Sequence, residues 1–121
     1  RATEGVIIFS NNMIDSDTAS SYAVVVGSDA TFPNDNTIIT GNIFTGIGGV
    51  YLTDGNNTSI LGNTFLGTGQ GVWITSGAGR TFVDGNQFVG SSDEVYNGGA
   101  DTVFGINVNN VGGKDTDGST L

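Results

Sequence analysis

The sequence has no histidine and no cysteine, one proline (Pro33), and only three cations, Arg1, Arg80 and Lys114, against 12 acidic residues. Without cysteine there is no disulfide framework, no thiolate zinc site and no cysteine nucleophile, and the redox compartment stays open. A net charge of -9 with so few cations cannot neutralise phosphates, which excludes nucleic acid and anionic lipid as partners. Long apolar runs are missing as well. The longest, VIIF and AVVV, are far too short to span a bilayer, so no membrane insertion is expected, and no secretory signal is present. The first residue is Arg1, not methionine, so the chain reads as a processed product or a piece of something longer.

What the sequence does contain is repetition. At 121 residues it amounts to about one domain, with 36% hydrophobic and 9% aromatic content, enough for a modest core. From Asn36 to Thr75 one phrase is written twice, NTIITGNIFTGIGGVYLT and then NTSILGNTFLGTGQGVWIT. The 21 glycines recur in register with it and read as turn punctuation. A period in the low twenties is too short for a helical hairpin and predicts a solenoid of short strands joined by turns.

Two columns fix the register. An asparagine with an apolar residue three before it and another two after it recurs at Asn12, Asn42, Asn63 and Asn86, and on one side at Asn107, with spacings of 30, 21, 23 and 21. Val24, Val50, Val72 and Val95 open the stretches VVVG, VYLT, VWIT and VYNG. Each rung thus carries three strands of three to five residues, one before the asparagine, one after it and one at the valine, stacked into parallel sheets. The expected class is all-β, a right-handed parallel solenoid of about five rungs, 21–23 residues each with one of 30. The excess of the long rung falls in DSDTASS (15–21) and GSDATFPND (27–35), loops expected to bulge from an intact scaffold. Residues 1–110 form the repeats and 111–121 a polar tail or linker.

The patterns T-x-I-x-G-N-x-F and G-V-x-I/L-T resemble the parallel β-helix repeats of the pectate-lyase-like superfamily, which includes polysaccharide lyases, galacturonases, alginate epimerases and phage tailspikes. The resemblance covers roughly residues 5–110 and implies a right-handed single-stranded parallel β-helix. It implies no one activity, since the scaffold carries many chemistries. It implies that the asparagines sit inside a bend and pass side-chain hydrogen bonds up the stack, making Asn12, Asn42, Asn63, Asn86 and Asn107 a structural ladder. A lyase of this kind needs an Arg or Lys base near calcium, and the cation within the repeats is Arg80, in a turn. Galacturonase-like and epimerase-like sites include histidine, which is absent. Asp84 and the pair Asp93-Glu94 have no matching carboxylate on the adjacent rung. No catalytic residue and no cofactor are therefore assigned, and the reading leans away from an enzyme.

Strand alternation singles out a second set. With Val50, Leu52, Val72 and Ile74 inward, Tyr51 and Trp73 point outward, Tyr96 follows one rung later and Val25 stands one rung earlier. Tyr51, Trp73 and Tyr96 are the candidate glycan- or partner-binding residues, because sugars stack on aromatic faces and Tyr and Trp anchor protein interfaces. Asp15, Asp17, Asp29 and Asp35, all in the long rung's insertions, are weak calcium candidates. Asp115-Thr-Asp117-Gly118 begins like a calcium loop without the rest of one. A further column, Thr37, Thr58, Thr81 and Thr102, reads as structural. Solenoids need caps, and neither end of the sequence looks like one. The partners expected are therefore copies of the chain or a larger assembly covering the open ends, with a glycan as the other candidate. The expected role is a non-catalytic structural or adhesion module, extracellular, at the cell surface or in a virion; the alternative is a carbohydrate-binding or carbohydrate-active fragment.

Overall fold

The computed structural model describes residues 7–8, 13–16, 22–27, 35–67, 69–90 and 93–108. All regular structure in them is β-strand. The first circuit holds β1 (Ile7–Ile8), β2 (Met13–Ser16) and β3 (Val24–Val26), and the second β4 (Ile38–Thr40), β5 (Ile43–Gly46) and β6 (Gly48–Asn56). The third holds β7 (Ser59–Leu61), β8 (Thr64–Leu66) and β9 (Gln70–Gly79); the fourth holds β10 (Phe82–Asp84), β11 (Gln87–Val89) and β12 (Asp93–Asn97), and β13 (Val103–Phe104) begins the next. They form three sheets, β1-β4-β7-β10-β13, β2-β5-β8-β11 and β3-β6-β9-β12, every pair parallel.

The chain coils, and each circuit lays one strand on each sheet. About three turns of roughly 23 residues are complete among the described residues, fewer than the five rungs expected. Among the described residues the final circuit contributes β13 and a bridge from Val108 to Gln87. In the sequence Asn109 stands where the earlier circuits have Ile14, Phe44, Phe65 and Phe88. The predicted tail, 111–121, lies outside the described residues.

Each described corner includes a left-handed residue. Between the first and second sheets it is Gly41, Gly62 or Gly85 (φ 66, 59 and 65°), the glycine that precedes the ladder asparagine. Between the second and third it is Gly46, Gly67 or Gly90 (φ 90, 64 and 71°). At the third corner the residues are Asn36, Asn57, Arg80 and Asp101 (φ 59, 59, 48 and 55°). An L side chain there costs roughly 1–2 kcal/mol, a cost that Asn and Asp partly offset by local hydrogen bonding and Arg80 does not.

The core is a single column filled from all three sheets. Ile39, Ile60 and Val83 from the first, Phe44, Phe65 and Phe88 from the second, and Val50, Leu52, Val72 and Ile74 from the third are buried. Full burial of such side chains contributes about 1.5–3 kcal/mol each. The three phenylalanine rings stack, Phe44 on Phe65 at 4.9 Å and Phe65 on Phe88 at 4.7 Å.

Three details differ from the sequence reading. β6 and β9 are nine and ten residues long, beyond the three to five expected. Pairing continues past a bulge between Leu52 and Asp54, which bends the strands around the third corner without breaking the ladder. Ile8 is the partner of Ile39, where the asparagine spacing placed Phe9. Asp15 was placed in an outward loop; it lies on β2, paired with Thr45, because the β2–β5 ladder runs on to Ser16 and Gly46.

Candidate functional site

The third sheet carries the side chains with the most to offer a partner. Alternation along β6, β9 and β12 buries Val50, Leu52, Val72, Ile74 and Val95 and turns Tyr51, Trp73 and Tyr96 outward. The parallel register places Val25 beside Tyr51, Tyr51 beside Trp73, and Trp73 beside Tyr96. Ring centroids are 5.3 Å apart for Tyr51 and Trp73, and 5.6 Å for Trp73 and Tyr96, with the second pair edge to face at 74°. Tyr51 and Trp73 are partly covered, whereas Tyr96 is 45% exposed.

A fourth ring, missed by the sequence reading, completes the row. Tyr22 lies just before β3, outside the strand alternation, and stacks on Tyr51 at 4.7 Å and 22° while meeting the edge of Trp73 at 6.1 Å. Its hydroxyl donates a hydrogen bond to Oε1 of Gln70, the residue that opens β9. Burial, and secondarily the neighbouring Tyr51, raise the Tyr22 pKa above its ordinary value, so the phenol stays protonated and keeps its donor. The column logic had Val25 at this level, and Val25 is 52% exposed beneath no ring of its own strand. The only signal in the sequence was a tyrosine two residues ahead of the valine column.

The asparagines follow the opposite logic, Asn42, Asn63 and Asn86 buried and Asn107 partly covered. The Oδ1 atom of Asn63 accepts from the backbone N–H of Asn42 at 2.9 Å and from its Nδ2 at 3.3 Å. Asn86 serves Asn63 in the same way at 2.9 and 3.1 Å, and Asn107 serves Asn86 at 3.1 and 2.9 Å. The Nδ2 groups of Asn63, Asn86 and Asn107 also donate to the carbonyls of Ile39, Ile60 and Val83. Asn12 lies outside the described residues. The threonine column makes no comparable chain. Thr37, Thr58 and Thr81 are buried, and the Oγ1 atoms of Thr37, Thr81 and Thr102 have no hydrogen-bond partner among the described residues.

The acidic candidates are dispersed. The Asp15 carboxylate accepts from the Thr45 hydroxyl at 3.0 Å on the second sheet. Asp35, at the third corner, accepts from the Asn56 backbone N–H at 2.7 Å. Asp17, Asp29, Asp115 and Asp117 lie outside the described residues. Asp84 accepts from the Ile106 N–H at 2.8 Å, and the strand position beside it holds Leu61, with Thr40 one rung further on. Asp93 and Glu94 open β12, where the register pairs Asp93 with Gln70. Arg80 occupies its exposed corner. Among the described residues no group of three or more His, Cys, Asp or Glu could hold a metal ion.

What the geometry assembles, then, is a rigid aromatic surface. A parallel ladder holds three of its rings at fixed spacing, and a hydrogen bond to the same ladder pins the fourth. Comparison with curated proteins and with solved structures finds no match. The family profile described as the right handed beta helix region matches residues 1–88, well over half the sequence. Together with three parallel sheets laid down turn by turn and an asparagine ladder at one corner, that match shows that the chain belongs to the right-handed β-helix family.

Proposed function

We propose that the chain is a non-catalytic structural or adhesion module of an oligomeric assembly at a cell surface or in a virion, and that its aromatic row is the face that meets a partner. The contiguous row of Tyr22, Tyr51, Trp73 and Tyr96 on one sheet carries the reading. Tyr and Trp bring large contact area at little conformational cost, and a ladder-held row is already organised for contact. Association between copies is supported by a different face. Ile38, Ser59, Phe82 and Val103 form one outward column of the first sheet, and its three apolar members are 39, 39 and 57% exposed, the kind of exposed apolar surface that marks interaction sites. Light scattering at micromolar concentration is expected to give a mass of two or more chains, reduced by Phe82→Ser. A single-chain mass throughout would overturn the oligomeric part of the proposal.

A carbohydrate-binding role is the second reading, favoured by the uncharged groups beside the rings, Gln70, Thr53 and Thr75. It predicts signal on a glycan array that Trp73→Ala abolishes. Silence on the array, or binding indifferent to that substitution, removes it.

A further inference from the structure

We infer that the aromatic row docks a cationic partner, an arginine- or lysine-bearing segment of another protein, whose charged groups rest on Trp73 and Tyr96. The inference depends on the reading of the third sheet as a contact face and names what that face selects.

Charge makes the first choice among occupants. A net charge of -9 draws in a cationic segment, whereas copies of the chain have the exposed apolar side chains of the first sheet to meet through. Among the described residues the one cation is Arg80, which lies at the third corner and outside the row. Nothing positive in the described part of the chain therefore competes for the rings.

The rings themselves make the second choice. Tyr22 and Tyr51 are stacked at 4.7 Å, so each covers a face of the other. Trp73 and Tyr96 meet edge to face at 5.6 Å, an arrangement that uses the face of only one ring, and Tyr96 is exposed, at 45%, where the other three rings are partly covered. The negative face of an aromatic ring attracts a cation within about 6 Å of its centroid, so one charged group fits within reach of both rings. A planar guanidinium is favoured over an ammonium because it stacks as well as attracts.

Trp73 is the only tryptophan, so its fluorescence reports directly on the site. The probe is an amidated Gly-Arg-Gly-Arg-Gly peptide, compared with the same peptide carrying citrulline, which keeps the planar shape and lacks the charge. The arginine peptide is expected to change Trp73 emission saturably, with the response weakened in about 0.5 M salt, and the citrulline peptide to leave it unchanged. Tyr96→Leu, which keeps an apolar side chain on the strand, should weaken binding by about two- to fivefold with the far-ultraviolet circular dichroism spectrum retained. An equal response to citrulline, or an affinity indifferent to Tyr96→Leu, would overturn the inference, the latter by reducing the attraction to the chain's overall charge. If a neutral glycan perturbs Trp73 and the arginine peptide does not, the cationic partner is wrong and the contact face stands. If neither does, both fall together.

Discussion

Two aromatic ladders climb this coil, and they are built differently. Inside, Phe44, Phe65 and Phe88 repeat one residue type and stack nearly parallel, at 20° and 10°. Outside, Tyr51, Trp73 and Tyr96 vary, and their planes open to 53° and then 74°. The same parallel register sets the spacing of both, 4.7–4.9 Å within and 5.3–5.6 Å without. Burial makes the difference. An inner ring is hemmed in on every side, so one residue in one orientation fits. An outer ring has an open side and is free in both identity and tilt. The inner ladder is scaffold, and the outer one is available to a partner.

Substitutions test that division. Phe65→Ala should have the largest effect, about 3–5 kcal/mol of unfolding free energy by urea titration, because it opens a cavity between two rings. Asn63→Ala should follow, at about 2–4 kcal/mol, since the buried N–H and Nδ2 of Asn42 lose their shared acceptor. Trp73→Ala should cost only about 1–2 kcal/mol, the worth of a partly covered ring and its aromatic contacts. A loss at Trp73 as large as that at Phe65 would erase the distinction and make the outer row scaffold too.

The smallest effect concerns Tyr22. The folded chain holds the Tyr22 proton at pH values where the unfolded chain releases it, so the contribution of this group to stability is level below about pH 10 and falls as pH rises past it. Tyr22→Phe should remove that part of the alkaline loss, read as a smaller shift of the urea midpoint between about pH 8 and pH 10.5. An unchanged alkaline loss would show that the outer row is more open at Tyr22 than its stacking implies.

The features legible in the sequence were those that a stack repeats. Asn42, Asn63 and Asn86 and the phenylalanines two residues on must be the same residues each time because each fits an identical buried space, and their preceding glycines because each has a left-handed backbone, and so they show as columns. Tyr22 did not show, because it reaches the row from outside the strand and no register governs it. The third corner did not show either. Asn36, Asn57, Arg80 and Asp101 share a backbone conformation on an exposed edge, where no common side chain is demanded. The bulge after Leu52 was hidden for a related reason, since it shifts pairing while leaving the inward residues in place.

The row that runs from Tyr22 to Tyr96 also has a consequence for how any partner must see this protein. Its four rings are neighbours in space but scattered over most of the described chain, one from each successive circuit. A ligand lying along them would bridge all four circuits, which otherwise meet chiefly as immediate neighbours, Tyr22 alone reaching past one to Gln70 and Trp73, and so act as a splint that makes them melt together. The surface is a discontinuous epitope. No linear peptide cut from this sequence can reproduce it, and unwinding any one circuit between its ends would erase it.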